Sequence, residues 1–555
     1  MKQPKLVDAT QEELDALLTL ARAASFPQHQ LELLEGVLGT FVYVMQSLQN
    51  AKMTLTRFRH RLFGKRTENR AAIKKQIGCD AGSATDQAER AVAAAANEPV
   101  PQTQVQMRAA DSTEGKKRKG HGRNGADMYR GAGVVACIHP NVQPGAPCPA
   151  CEVGKLYLAE PRTIVKMSGQ LPIGAIVYKL DNWRCRLCEA IFTAPMPDGV
   201  DARKYDESCA SMIAMLRYGN GMPFHRLEGL QACLGVPLPD ATQWDIVDRA
   251  ATGPRHVFGE MIRQAAQAEV LHNDDTPARI LDLMGCRRAK AEAAGGEMSK
   301  TKAINTSGIV ALMGTQKVML FFTGPAHAGR NLAQVLAHRA TELAPPIQMC
   351  DALSANVKGD FETILSHCIA HGRRKFVEVA VHFPAPCLRV IEDLATVYRH
   401  DAHCKDQKMP DAQRLDYHQD RSGPLLLRLK IWMLRQLEQR QVEPNSGLGE
   451  ALRYMLKHWK TLTLFLRKAG APLDNNICER CLKKAIIHRK NSLFYRSQHG
   501  AEVGDIYMSL IYTCQSCGAN PFAYLQTLQK HVKAVASMPQ QWLPWNYQSA
   551  LSCAA

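Results

Sequence analysis

The feature that most constrains the fold of this chain is a pair of short apolar runs that each end in an acidic residue. The run at 268–271 reads as a strand and leads into Asp274 and Asp275. A second run at 346–350 leads directly into Asp351. We therefore expect Asp274 just past the end of one strand and Asp351 at the end of another.

The segment between these two runs predicts how the strands are connected. Ser307–Met313 and Lys317–Thr323 are apolar runs separated by Gly314-Thr315-Gln316, which is typical of a hairpin. Gly329–Arg339 then has the apolar spacing of a helix. A strand, a hairpin, a helix and a strand in this order predict a ribonuclease-H-like α/β core within a mixed α and β, multidomain chain.

A third acid, Glu479, lies near the start of a predicted helix over Asn475–Lys490. Lys483 and Lys490 follow at steps of four and seven residues, which places all three side chains on one side of that helix. Three carboxylates from separate elements can hold two divalent cations, which activate a water or hydroxyl and stabilise both oxygens of an in-line phosphoryl displacement. The three acids therefore predict a phosphodiester substrate.

The charge balance favours a polyanionic partner. Lys and Arg number 69 against 52 Asp and Glu, an excess of 17, and the pI is near 9.1. Such an excess suits double-stranded DNA, because basic side chains neutralise phosphates and release counterions. No segment approaches the roughly 20 apolar residues of a membrane span, and no secretory signal is expected. We therefore expect a cytoplasmic, nucleoid-associated protein with no membrane partner.

Several motifs, in order, resemble the DDE transposases of the insertion-sequence-sixty-six type. A basic stretch, Gly120-His121-Gly122-Arg123, and a cysteine module also match in order, so the resemblance covers nearly the whole chain. The principal motifs are His272-Asn273-Asp274-Asp275-Thr276-Pro277, Ile369-Ala370-His371-Gly372-Arg373-Arg374-Lys375-Phe376, and Asp474-Asn475-Asn476 followed by Glu479-Arg480 and Arg489-Lys490-Asn491.

The resemblance implies that Asp274, Asp351 and Glu479 form a catalytic triad that holds Mg²⁺ or Mn²⁺. It also implies a helical insertion in the catalytic domain, at about 380–468, and small accessory proteins of the same element as partners. This chain has Asp275 where the family commonly has Glu. Asp275 therefore stays open as an alternative ligand to Asp274.

Basic residues in three parts of the chain are expected to contact DNA phosphates. A charged face that is simply solvated is the alternative for each of them. The residues are Lys116, Lys117, Arg118, Lys119, Arg123, Arg373, Arg374, Lys375, Lys483 and Lys490.

Two Cys-x-x-Cys pairs predict a structural zinc ion. Cys148 with Cys151, and Cys185 with Cys188, can place four thiolates tetrahedrally around Zn²⁺, which then stabilises a small domain. The intervening Gly174–Leu180 is a predicted strand. Two further pairs lie in helical patterns, where cysteine is usually a small core residue, so a second zinc there is the less favoured alternative. Those pairs are Cys478 with Cys481 and Cys514 with Cys517.

Periodicity and composition divide the 555 residues into several domains. The first segment has an a/d heptad seam from Leu34 to Leu62, which indicates a coiled coil that pairs two copies of the protein. Phe224–Cys233 and Ala241–Arg249 have helix-turn-helix proportions, as a packing unit or a DNA reader. The segments are 1–70 helical and coiled coil, 71–128 basic linker, 129–198 zinc-binding β module, 199–262 helix-turn-helix-like, 263–500 catalytic, and 501–555 helical.

Together these features predict a transposase that binds transposon-end DNA and carries out metal-dependent hydrolysis and strand transfer. A homodimer or higher oligomer would bring two transposon ends together. The main alternative is a catalytically inactive DNA-binding repressor derived from a transposase. A zinc scaffold that assembles other proteins and a nuclease that cuts without joining are further alternatives.

Overall fold

The computed structural model describes residues 171–184, 191–201, 203–285, 304–357 and 361–554, together with the single positions 19, 34 and 146. The chain divides into two compact units, residues 1–97 with 175–555 and residues 98–174, and nearly all described residues belong to the first. Three predicted features lie outside the described residues: the heptad seam beyond Leu34, the basic stretch of the linker, and the four cysteines of the first zinc site.

A small antiparallel ribbon flanks the second predicted zinc pair. Strand β1 (Asn182–Arg184) pairs with β2 (Ile191–Thr193), and Trp183 lies opposite Phe192. The strand predicted over Gly174–Leu180 is wrong, because these residues have no strand conformation. Their apolar side chains are largely exposed, and no described strand pairs with them.

A five-stranded mixed sheet forms the centre of the described unit, in the order β5-β4-β3-β6-β7. Strands β3, β4 and β5 are antiparallel neighbours, whereas β6 is parallel to β3 and β7 is parallel to β6. The bounds are β3 (Val270–Pro277), β4 (Asn305–Met313), β5 (Gln316–Gly324), β6 (Ile347–Cys350) and β7 (Ile364–His367).

The predicted hairpin is confirmed, but the predicted end of the first strand is wrong. Gly314, with φ of +54°, lies in the turn between β4 and β5, where glycine adopts a left-handed conformation without steric cost. Strand β3 continues through both acids to Pro277, because β4 pairs with every residue from Val270 to Pro277. Asp274 therefore lies within a strand and not after it.

Helices precede and follow the sheet, and none of the described ones is long and apolar enough to cross a membrane. Before the sheet lie α1 (Glu207–Ala214), continued by a π-helical turn (Met215–Gly219), α2 (Phe224–Cys233), α3 (Asp240–Ala250) and α4 (Thr252–Ala266). The two helices of the predicted helix-turn-helix are thus α2 and α3, and Gly235 has the positive φ that the turn between them requires.

The remaining helices follow strand β5. They are α5 (Ala328–Leu336), α6 (Ser354–Val357), α7 (Ile369–Val379), α8 (Pro384–Asp406), α9 (Asp411–Glu438), α10 (Gly447–Lys457), α11 (Trp459–Leu462), α12 (Asn476–Ser492), α13 (Gln498–Ser516), α14 (Pro521–Lys530), α15 (Val532–Ser537) and α16 (Tyr547–Ala554). Short 3-10 turns lie at Leu464–Leu466 and Pro539–Trp542.

The stretch from α8 to α11 packs around an apolar cluster that also includes residues of α7, of the loop before α12 and of strands β3 and β6. The helical stretch is interrupted just before Pro384 and again within the polar run 401–421, between α8 and α9. Pro384 begins α8, where proline fits the first helical turn. The buried Asp401 of α8 binds Arg414 of α9 at 2.7 Å and Lys405 of its own helix at 2.8 Å, so it joins the helices on the two sides of the turn.

Helix α13 covers the outer edge of the sheet. Four residues of a helix rise about 6.0 Å, and two residues of a strand rise about 6.8 Å. Because these distances are similar, every fourth side chain of α13 can lie opposite every second amide of β5. An edge strand otherwise exposes such donors to other chains. The amide nitrogens donate to α13 side chains as follows: Thr323 to Asp505 (2.6 Å), Phe321 to Ser509 (3.0 Å) and Met319 to Thr513 (3.0 Å).

This edge contact gives the stability of the protein a pH dependence. Burial raises the pKa of Asp505 to about 7 from an ordinary value of 3.8. Between those two values the folded chain holds a proton that the unfolded chain has lost, so stability falls as pH rises. We expect the urea midpoint to fall less steeply from pH 4 to pH 7 in Asp505→Asn than in the wild type.

The matched control for this prediction is Ser509→Ala, which removes a neighbouring hydrogen bond but keeps the titrating group. Its urea midpoint should lie lower at every pH, by an amount that reflects about 1 kcal/mol, with the wild-type slope. Equal slopes in Asp505→Asn and the wild type would contradict the prediction.

Candidate active site

Strands β3 and β6 bring Asp274 and Asp351 to the same end of the sheet. Their parallel pairing runs from Val270 opposite Ile347 to His272 opposite Met349. Asp274 lies two residues beyond the last pair on β3, and Asp351 directly follows the end of β6. Because the two strands run in the same direction, both carboxylates lie at the carboxyl end of this strand pair, where α/β proteins commonly place their sites.

A buried amide joins these two acids. The Asn356 Nδ2 group donates to Asp351 Oδ1 at 2.6 Å and approaches Asp274 Oδ1 at 3.4 Å. The main-chain oxygen of Asn356 accepts hydrogen bonds from Gln348 at 2.9 Å and from Asn273 at 3.0 Å. Asn356 is therefore held from both strands, and its amide orients both carboxylates.

A second buried amide, Asn475, attaches the start of α12 to β3. The ring Nδ1 of His272 donates to Asn475 Oδ1 at 3.0 Å, and Asn475 Nδ2 donates to the Asn273 oxygen at 3.1 Å. The Asn475 main-chain N–H also donates to the sulfur of Cys368 at 3.2 Å. Burial lowers the pKa of His272 to about 4, so this ring is neutral at physiological pH. The two bonds to β3 join residues about 200 positions apart in the sequence.

Glu479 is carried to the sheet by the first turn of α12. The thiol of Cys478 donates to the Gly308 oxygen at 3.3 Å, and Leu482 also packs against Gly308. Gly308 is the β4 residue paired with Asp274. The helix that bears Glu479 therefore crosses the sheet directly over the strand position of Asp274.

The three predicted acids are close enough to influence one another. Burial, together with the negative charges of Asp351, Glu479 and Asp275, raises the pKa of Asp274 to about 7. The Oε1 atom of Glu479 is buried without a hydrogen-bond partner among the described residues. Carboxylate oxygens that repel one another, one of which lacks a hydrogen-bond partner among the described residues, fit a hard divalent cation such as Mg²⁺ or Mn²⁺. The residues therefore suit the cations that the resemblance implies.

Asp275 faces a different set of partners. One carboxylate oxygen accepts from the Ser307 hydroxyl at 2.6 Å, and the other accepts from the Ala328 N–H at 3.0 Å and lies 3.0 Å from His327 Nδ1. Ala328 is the first residue of α5, so Asp275 ties that helix to the sheet. Between the two adjacent acids, this geometry favours Asp274 as the metal ligand.

A thiol and an imidazole lie beside Glu479. Cys368 immediately precedes α7 and His371 lies in its first turn. One ligand atom from each of Cys368, His371 and Glu479 lies within 4.8 Å of the other two. Burial raises the pKa of Cys368 to about 12, so the thiol keeps its proton at neutral pH unless a cation displaces it.

The described basic residues of the predicted DNA surface lie on the two helices next to the acids. Arg373, Arg374 and Lys375 are on α7, and Lys375 Nζ lies 5.6 Å from the ring centre of Tyr454. On α12, Lys483 and Lys490 are exposed. The remaining predicted contacts, Lys116, Lys117, Arg118, Lys119 and Arg123, lie outside the described residues.

The cysteine pairs on α12 and α13 do not form a metal-binding group in the described part of the chain. Cys478 and Cys481 are buried in the packing of α12, and Cys478 bonds to Gly308. Cys514 is buried in α13. Cys478, Cys481 and Cys514 are therefore small core residues, as the sequence favoured, whereas Cys517 is only half-buried.

Sequence reasoning missed the amides that build the site. Asn356, Gln348 and Asn273 follow no spacing rule, and their partners become neighbours only in the folded sheet. Asn475 immediately precedes α12, but its side chain bonds to β3, while Asp474 accepts from the N–H of Asn476 at 3.1 Å. The available signal was an apolar strand interrupted by buried polar residues, His272 and Asn273.

The fold and the site define an α/β protein in which the charges of Asp351 and Glu479 act on Asp274 at one end of a mixed sheet. In the described part of the chain, the three acids do not bring their ligand atoms within 4.8 Å of one another, whereas Cys368, His371 and Glu479 do. The chain belongs to the Transposase IS66 family, whose sequence profile matches residues 203–503, more than half of the chain. The match includes the sheet and all three acids.

Three relatives from Sinorhizobium fredii (strain NBRC 101917 / NGR234) are similar to this chain. Uncharacterized protein y4jD is 26% identical over 386 residues, which cover 66% of this chain and 71% of the relative. Uncharacterized protein y4hP is 23% identical over 525 residues, with 90% and 89% covered. Uncharacterized protein y4qI is 30% identical over 195 residues, with 34% and 35% covered. No solved structure matches the chain.

Removing the Asn475 amide should loosen the metal site. In Asn475→Ala, the bonds to His272 and Asn273 are lost, so the helix that bears Glu479 is no longer tied to β3. We expect a stability loss of about 1–3 kcal/mol and at least tenfold weaker Mn²⁺ binding, measured by thermal melts and by titration calorimetry.

Asn476→Ala is the matched control, because the neighbouring Asn476 is exposed and its side chain bonds only to Asp474 within the same turn. This variant should bind Mn²⁺ like the wild type. Equal Mn²⁺ affinity in Asn475→Ala and Asn476→Ala would count against the role of Asn475.

A methyl group at Gly308 should push α12 away from the sheet. An added Cβ would lie 3.0 Å from two carbons of Leu482, which is tighter than ordinary packing. We expect Gly308→Ala to cost about 1–3 kcal/mol and to weaken Mn²⁺ binding, because Glu479 moves with the helix. Thermal melts and Mn²⁺ titration measure both effects.

The control for Gly308 is Gly229→Ala in α2, where nothing lies within 4 Å of an added Cβ. That variant should be as stable as the wild type or more stable by about 0.5–1 kcal/mol. The prediction is wrong if Gly308→Ala melts with the wild type.

Proposed function

We propose that this protein is a DNA transposase that hydrolyses the phosphodiester at transposon ends and joins the freed 3′ ends to target DNA. The observation that carries the proposal is the approach of Asp274, Asp351 and Glu479 from three separate elements, in a chain of the Transposase IS66 family. In this proposal the three acids are the catalytic triad.

The sheet topology supports a ribonuclease-H-like core. Strands β3, β4 and β5 form an antiparallel meander. Strands β6 and β7 add in parallel on the other side of β3. Asp274 lies on β3, and Asp351 follows β6. The third acid lies on a helix packed across the meander, after the helical stretch from α8 to α11. The order of strand, hairpin, helix and strand supports this layout, with Asp274 inside the strand and not after it.

Asp274, Asp351 and Glu479 would hold the divalent cations, Mg²⁺ or Mn²⁺. When bound, the cations supply activation of the attacking water or 3′-hydroxyl and stabilisation of charge on the phosphate oxygens. Asn356 keeps the Asp351 carboxylate in one orientation through its 2.6 Å hydrogen bond. Asp274 must lose its proton to bind a cation, and the raised pKa makes that loss depend on the cation itself.

The DNA is proposed to lie along the helices that flank the acids. Lys483 and Lys490 are exposed on the helix that bears Glu479, and α7 carries Arg373, Arg374 and Lys375. Phosphate contacts from such residues position a duplex without reading its sequence. The α2–α3 helix pair is proposed as a further DNA contact.

Further parts of the proposal rest on the sequence. The segment 1–70 would pair two copies, the basic linker would add DNA contacts, and Cys148, Cys151, Cys185 and Cys188 would hold structural Zn²⁺. The protein would act on the nucleoid of a bacterial cytoplasm, with accessory proteins of the same element as further partners.

Substitution of single acids tests the proposal. We expect Asp274→Asn and Glu479→Gln each to lower Mg²⁺-dependent cleavage of labelled transposon-end DNA by at least about a thousandfold, because each removes a cation ligand. Binding of the same DNA should persist, with an affinity that falls steeply with salt. Cleaved and joined products are measured on denaturing gels.

Asp275→Asn is the matched control, because it changes the adjacent carboxylate that ties down α5. This variant should melt at a lower temperature but still cleave DNA below that temperature. A wild-type protein that binds the DNA without cleaving it would favour the repressor, and cleavage without joined products would favour the nuclease.

A further inference from the structure

The cluster of Cys368, His371 and Glu479 offers a ligand set that differs from the three acids. A thiol, an imidazole and one carboxylate come together from the start of α7 and the first turn of α12. Their ligand atoms all lie within 4.8 Å of one another. Ligands of a tetrahedral zinc ion lie roughly 3.5 Å apart, since zinc bonds are about 2.0–2.3 Å long, so a shift of about 1 Å would complete the site.

Two of these side chains have a polar atom without a hydrogen-bond partner among the described residues. His371 Nε2 lies 3.8 Å from Glu479 Oε1, which is too far for a hydrogen bond. Glu479 Oε1 and His371 Nδ1 are buried with no hydrogen-bond partner in the described part of the chain. The side chains are nevertheless 27% and 22% exposed, so a cation can enter from solvent. A bound cation would supply a partner for Glu479 Oε1 and for one ring nitrogen of His371.

Burial keeps the free Cys368 thiol protonated, but two features of its surroundings favour the thiolate that a bound cation requires. Cys368 Sγ accepts the main-chain N–H of Asn475 at 3.2 Å. Cys368 also occupies the residue before α7, where the positive end of the helix dipole favours a thiolate. Hydrogen bonds to a ligand atom from the surrounding shell orient it and tune the metal.

We propose that Cys368, His371 and Glu479 form a binding site for zinc or a similar borderline transition-metal cation, with a water as the fourth ligand. Thiolate and imidazole ligands select such cations over Mg²⁺, which prefers oxygen. Because Glu479 belongs to both sets, zinc at this site removes a ligand from the proposed catalytic cations. Zinc therefore inhibits the reaction, and this consequence, unlike the binding itself, rests on the proposed function.

Cobalt titration of the full-length protein tests the binding directly. Co²⁺ replaces zinc and gives a thiolate-to-metal absorption band. We expect the wild type to bind one more Co²⁺ per chain than Cys368→Ala, with a correspondingly stronger band. His371→Gln, which keeps the thiol, should bind that Co²⁺ at least tenfold more weakly. Cys387→Ala is the control, since Cys387 is a thiol buried in the apolar core and is not one of the three proposed ligands.

Equal Co²⁺ stoichiometry and equal bands in the wild type and Cys368→Ala would overturn the site, as would wild-type affinity in His371→Gln. Thermal melts establish that each variant is folded before titration. This result does not depend on activity, so it stands whether or not the protein cleaves DNA.

To test the inhibition, the Mg²⁺-dependent cleavage rate of each variant is measured with a small excess of ZnCl₂ and is divided by its rate without zinc. We expect this ratio to be about 0.1 or lower in the wild type and in Cys387→Ala. It should stay near one in Cys368→Ala. Zinc that binds without slowing the wild type would overturn the sharing of Glu479. If neither the wild type nor any variant cleaves DNA, that result counts against the proposed function, and the conclusion from the cobalt titration is unaffected.

Discussion

The candidate site depends on the buried side chain of Asn475. This one residue bonds to the His272 ring and to the Asn273 main chain on β3, while its own N–H bonds to the Cys368 sulfur before α7. It thereby joins a strand, a helix start and the helix that bears Glu479. A buried amide makes these bonds in one geometry only, because any other orientation leaves polar groups without partners. Glu479 is therefore fixed relative to Asp274.

Side-chain amides hold the candidate site together, and their lack of charge matters for the electrostatics of the acids. Asn356, Gln348 and Asn273 hold the ends of β3 and β6 together through hydrogen bonds that add no charge. A lysine or arginine in the same role would neutralise Asp274 and weaken its attraction for a cation. Amides instead leave the carboxylates mutually repelling and the pKa of Asp274 raised to about 7. This repulsion between carboxylates is a free-energy cost in the folded protein, and a divalent cation bound between them would remove it.

Local patterns in the sequence predicted the hairpin of β4 and β5, helix α12 with Glu479 in its first turn, and Asp351 at the end of a strand. The predicted end of the first sheet strand depended on a neighbouring strand and was wrong. Strand β3 continues past Leu271 through both acids because β4 lies alongside it. A partner from another segment thus changed what the local residues favoured.

The sequence alone determined which residue types were available for chemistry, since order and spacing identified the three acids and the basic helices around them. Only the tertiary structure separated the surroundings of Asp274 and Asp275, because adjacent strand residues point to opposite faces and Asp275 bonds to Ser307 and α5. The tertiary structure also placed Cys368 and His371 beside Glu479. Such contacts arise where chain segments pack together, and the spacing of residues along one segment carries no information about the partner that will face them.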